Sequence, residues 1–95
     1  MPEKKRIYKG LGEGEKALGY YRRTLEIRRL LVRKEPEVVD RYIGLAYVFL
    51  DMFRVTEDEE EKREFVMEAY GITKSLVDAG VIHPQLKELR EIFSL

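Results

Sequence analysis

Apolar residues recur along most of this chain at helical spacing, and nowhere do they alternate in the two-residue rhythm of a strand. From Glu15 to Lys34 the set Ala17, Leu18, Tyr20, Tyr21, Leu25, Ile27, Leu31 and Val32 covers about half a helical circumference at about 100° per residue. A face that broad predicts a helix with more than one neighbour. Arg28 falls inside the apolar arc, whereas Arg22, Arg29 and Arg33 lie on the solvated side. An unpaired charge on the arc is costly, so Arg28 either snorkels at the core edge or pairs with an acid, Asp40 or Asp51.

Lys34, Glu35 and Pro36 break the pattern, because proline suits a first helical turn and disfavours helical geometry in the residue before it. A second helix is predicted from Pro36 to Arg54. Its apolar residues, from Val38 to Phe53, take more than half the circumference, which makes it the central, most buried helix and leaves a narrow strip of Asp40, Gly44, Tyr47 and Asp51. Thr56 with Glu59 matches a capping box, and the acids from Glu57 to Glu61 complement the positive end of a helix dipole. A third helix is predicted from Thr56 to Ala79, with Gly80 as its left-handed stop. After His83 and Pro84, Leu86, Leu89, Ile92 and Phe93 predict a short fourth helix ending near Ser94. Residues 1–14, with Gly10, Gly12 and Gly14 among Lys4, Lys5, Arg6 and Lys9, read as a flexible basic tail ahead of one helical domain over 15–95. The connections are short, so successive helices are antiparallel neighbours.

The first and third helices share a spacing. Ala17, Tyr21 and Thr24 are matched by Val66, Tyr70 and Thr73, placing small or branched residues and a tyrosine on one face of each. With the runs ALGYYRRTLEIRRL (Ala17 to Leu30), EPEVV (Glu35 to Val39) and YIGLAYVF (Tyr42 to Phe49), the chain resembles a tetratricopeptide repeat array, closest to the long repeats of the kinesin light-chain type. The resemblance implies an all-α architecture of antiparallel helical hairpins, three long helices and a short C-terminal capping helix, with fewer than two full repeats. Two departures stand out: an acidic stretch between Phe53 and Phe65 longer than the usual turn, and Val66 where the family places alanine. In such arrays the exposed strip of the first helix lines a partner-binding groove, which implies Asp40, Gly44, Tyr47 and Asp51 as groove positions. Gly44 would then admit a partner's backbone; in the alternative, Gly44 and Tyr47 only accommodate the next helix.

Composition narrows the classes of function. Hydrophobic residues make up 44% of 95 residues, enough for one core, and there is no cysteine for a disulfide or a thiolate metal site. Charged residues reach 38%, against roughly 25% in ordinary soluble proteins, while asparagine is absent and Gln85 is the single glutamine. That balance fits a hyperthermophile's cytoplasmic protein. Apolar runs are too short to span a bilayer, so no membrane is expected. Net charge is zero, yet the stretch through Lys34 has eleven basic against four acidic residues and the remainder seven against fourteen, or +7 and −7.

Catalytic chemistry finds no footing: there is one histidine, His83, no nucleophile elbow, and no lysine-serine ending behind the glycines at 10, 12 and 14. His83 reads as a cap or loop residue, and the acid run carries no accompanying histidine to suggest a metal. The expectation is a non-enzyme without cofactor, binding a protein or peptide and forming a homodimer through Leu18, Leu25 and Val32 or through Ile92 and Phe93. The alternative is nucleic-acid association through Arg22, Arg29 and Arg33 and the basic N-terminal stretch, with Tyr8, Tyr20 and Tyr21 as stacking faces.

Overall fold

The computed structural model describes the backbone of residues 2–95 and the side chains from Gly14 onward. Its elements are α1 (Pro2–Lys34), α2 (Val39–Val55), α3 (Glu59–Asp78) and α4 (Pro84–Phe93), with no strand among the described residues. The chain is thus all-α, three long helices and a short one. Contacts run α1 to α2, α2 to α3 and α3 to α4. Gly14 of α1 approaches Val55 at one end of α2 and Arg28 approaches Gly44 nearer the other, so the first two helices are antiparallel.

The tail expected over residues 1–14 lies, up to 13, outside the residues whose side chains are described; the backbone from Pro2 belongs to α1. Proline suits a first helical turn, and good helix formers interleave with the glycines, each of which costs only about 1 kcal/mol in a helix interior. The second helix starts at Val39, later than Pro36. Residues 35–38 form a turn instead, closed by Val38 N–H donating to the Glu35 carbonyl at 3.1 Å, and Val38 supplies no side-chain cap.

Thr56 does not cap the third helix. It is extended and buried at the end of α2, where its N–H donates to the Met52 carbonyl at 3.0 Å. Asp58 caps α3 instead, its carboxylate accepting from the N–H groups of Glu60 and Glu61 at 2.9 and 3.0 Å. The far end stops as predicted. Gly80 takes φ +75°, and its N–H donates to Val77 while that of Val81 donates to Leu76, the paired bonds of a Schellman motif.

α2 is the central helix, burying Ile43, Leu45, Ala46, Val48, Phe49, Leu50 and Met52. Leu25 of α1, Ala69 and Leu76 of α3, and Leu86 and Leu89 of α4 complete the core around it. Each large side chain fully removed from water contributes about 1.5–3 kcal/mol, which offsets the ordering of the short α4 that isolated helix propensity would not support. Among the described residues, no helix is long and apolar enough to cross a membrane.

Candidate functional site

Three helices build a shallow cleft along the narrow strip of α2. Asp40, Gly44, Tyr47 and Asp51 recur at intervals of three and four residues, which stacks them on one helical face. The structure brings all four together with Arg28 of α1 and Gln85 of α4. A short polar strip on an otherwise apolar helix has this consequence: two flanking helices pack against the apolar arc and leave the strip as an open seam.

Arg28 crosses that seam over Gly44. A Cβ at position 44 would collide with the Arg28 guanidinium, so the glycine makes room for a side chain of the same chain, not for a partner's backbone. The ion pair expected between Arg28 and Asp40 or Asp51 does not form. Both acids are engaged elsewhere: Asp40 accepts from His83 Nε2 at 2.7 Å, and Asp51 from Arg54, three residues on, at 3.4 Å. The Nε atom of Arg28 is buried without a hydrogen-bond partner. Among the described residues it is the one buried side-chain polar atom without a partner.

His83 fastens the cleft's end. Its Nδ1 accepts from the Gln85 N–H at 3.1 Å, capping α4, which puts the ring proton on Nε2 facing Asp40. The cap role read from the sequence is therefore the role it has, and the bridge to α2 is an addition. Tyr47 donates to the Gln85 carbonyl at 3.4 Å. Desolvation first, and the neighbouring Glu88 carboxylate second, push the Tyr47 phenol above its ordinary pKa, so it remains a neutral donor. These groups can bind and orient a polar ligand. They include no activated nucleophile.

The other predicted positions are distributed differently. Arg22 reaches Glu61 of α3 at 3.5 Å and Arg29 lies over the Phe49 ring at 5.6 Å, so only Arg33 of that patch stands apart from α3 and the core. Of the dimer candidates, Leu25 is in the core, Leu18, Val32 and Phe93 are partly buried against it, and Ile92 alone is exposed. α2 docks on the Leu18, Leu25 and Val32 arc of α1, and the solvent side of that helix carries Tyr20, Ile27 and Leu30 instead. Arg28 was recognisable in the sequence as misplaced, but its destination over Gly44 was not.

Compared with protein-family models, curated proteins and solved structures, the chain matches none of them.

Proposed function

We propose that this chain is a non-catalytic interaction and self-assembly module of tetratricopeptide-like design, working in the cytoplasm and binding a protein or peptide along the α2 strip. The observation that carries the proposal is the convergence of Arg28, Asp40, Gly44, Tyr47 and Asp51 in one cleft. Arg28 offers donors and the acids offer acceptors on either side of Tyr47, an arrangement matched to the alternating carbonyl and N–H groups of an extended peptide. Tyr47 supplies a flat apolar contact with a polar tip. The reading is of binding without reaction, the Asp40–His83 pair at the cleft's end serving to join the start of α4 to α2.

Nucleic-acid association has less support, because Arg22 and Arg29 spend their charge on Glu61 and on the Phe49 ring. Capture of partners from nuclease-treated extract of the source organism, with wild type beside Tyr47→Ala, tests the proposal. A defined protein retained by wild type and lost with Tyr47→Ala is the expected result. Retention indifferent to Tyr47, or retention of nucleic acid abolished by Arg22→Glu, Arg29→Glu and Arg33→Glu, would overturn it.

A further inference from the structure

We infer that the cleft selects an extended peptide whose charges alternate, a carboxylate with a cation two residues away on either side. This rests on the peptide-binding part of the proposed function and assigns the ligand a charge pattern. α1 contributes one cation to the cleft, Arg28, and α2 contributes an acid toward each end, Asp40 and Asp51. α4 adds Glu88 beside Tyr47 and the ring of His83. Along α2 the order is therefore acid, guanidinium, acid.

The guanidinium is the group without a counter-charge. Among the described residues Arg28 enters no ion pair, and its Nε is buried without an acceptor. Its positive charge is delocalised over three nitrogens, so a carboxylate meeting the two terminal ones neutralises the whole group through a bidentate pair. A neutral carbonyl would satisfy a donor and leave the charge in place. Gly44, lacking a Cβ, lets that end of the side chain lie directly on α2 and fixes where the carboxylate must come.

Both acids keep capacity for a ligand. Asp40 is 71% exposed and is held through one oxygen only, by a His83 ring whose Nδ1 already accepts a hydrogen bond. Asp51 meets Arg54 at 3.4 Å in a pair open to water, a solvent-screened contact of little strength. Spacing sets the register. At the helical rise Gly44, Tyr47 and Asp51 lie about 6, 10 and 16 Å beyond Asp40. Same-side residues of an extended chain are about 6.6 Å apart. A cation over Asp40 thus puts the second residue on over Arg28. The fourth, at about 13 Å, falls between Glu88 and Asp51, where the four-carbon stem of a lysine reaches either. Such a peptide is net positive, opposite to a cleft of three acids and one arginine.

Fluorescence anisotropy of labelled synthetic peptides with the full chain tests the assignment, with circular dichroism to confirm that each variant is folded. The peptides are Lys-Ala-Glu-Ala-Lys, its charge inverse Glu-Ala-Lys-Ala-Glu, and Lys-Ala-Gln-Ala-Lys, each between the same neutral flanks. Wild type should bind the first about tenfold or more tighter than either of the others. Arg28→Gln should remove its advantage over the glutamine-centred peptide, and Asp40→Asn with Asp51→Asn should weaken both lysine peptides about tenfold or more. Tyr47→Ala should weaken all three alike. Discrimination among the peptides by wild type decides the matter should Arg28→Gln not fold. No binding of the first peptide, equal or tighter binding of its inverse, or an advantage over the glutamine-centred peptide that survives Arg28→Gln would overturn the assignment. In the last two cases a loss with Tyr47→Ala would still leave the cleft a peptide groove, so the two readings fail separately.

Discussion

Helices α1 and α3 carry the same spaced triplet, yet the two copies have different fates. Tyr20 of α1 is 66% exposed, and its counterpart by spacing in α3, Ala69, is completely buried. Tyr21 packs against the core, whereas Tyr70 sits at the surface with its ring edge-on to Phe93 at 5.6 Å. Only the threonines behave alike: Thr24 and Thr73 each donate to the carbonyl four residues back, at 3.1 and 2.8 Å. The difference lies in neighbours. α3 is held between α2 and α4, while α1 packs chiefly on α2. Periodicity therefore identifies which face of a helix is apolar, but the number of helices that cover it is decided by the rest of the chain.

Exchanging the counterparts should break this comparison most sharply. Ala69→Tyr forces a large ring into a filled crossing and should cost about 3 kcal/mol or more, the upper end of overpacking, whereas Tyr20→Ala should stay within about 0.5 kcal/mol. Urea unfolding of both variants reads the contrast. A smaller effect separates the threonines. Thr73→Ala should cost about 1–2 kcal/mol through lost buried packing, and Thr24→Ala less than about half of that.

The start of α3 is the next test, because its stability depends on a local device, the Asp58 cap. Asp58→Ala should cost about 1 kcal/mol by orphaning the N–H groups of Glu60 and Glu61. Thr56→Ser, which keeps a hydroxyl but loses a methyl in a buried joint, should cost about 1 kcal/mol or less, because Thr56 is packing and not a cap. Thermal denaturation reads both, and a loss for Thr56→Ser larger than that for Asp58→Ala would contradict the assignment of the cap to Asp58.

Glycines sharpen the contrast between the sides of α2. Gly71→Ala meets open space and should stabilise the fold by about 0.5–1 kcal/mol. Gly44→Ala gains the same helix propensity but displaces Arg28, so its net effect should be smaller. The smallest effect is alkaline. Burial and Glu88 raise the Tyr47 pKa in the fold, so its neutral form contributes stability that is complete below the unfolded phenol's pKa of about 10 and is lost as pH climbs through the folded value. Tyr47→Phe should remove that part of the alkaline stability loss, as seen in unfolding curves taken on either side of about pH 10.

Much of the architecture was legible because its signals are local. Pro36, the Gly80 stop and the His83-Pro84 start each act within a few residues, and the apolar excess of α2 announced the central helix. Boundaries failed where two local signals competed: Thr56 fits a capping box, but the end of α2 claims its backbone and Asp58 is closer to the turn that needs a cap. The α2 strip could be read as one face from its spacing alone. Its ion pairing could not, since Asp40 and His83 are 43 residues apart and only folding brings them to 2.7 Å. Leu25 was read as a surface contact because α1 has more apolar residues than one neighbour can cover, and the sequence does not say which of them α2 selects.

Arg28 gives the most direct test of the central claim, that the polar side of α2 is left open as a cleft for a partner. Its Nε atom is buried over Gly44 without a hydrogen-bond partner. In NMR spectra of nitrogen-labelled protein titrated with the protein it captures from extract, the Arg28 Nε–H resonance should shift while that of Arg33 stays fixed. An Arg28 Nε–H signal that does not move at saturation would contradict the account.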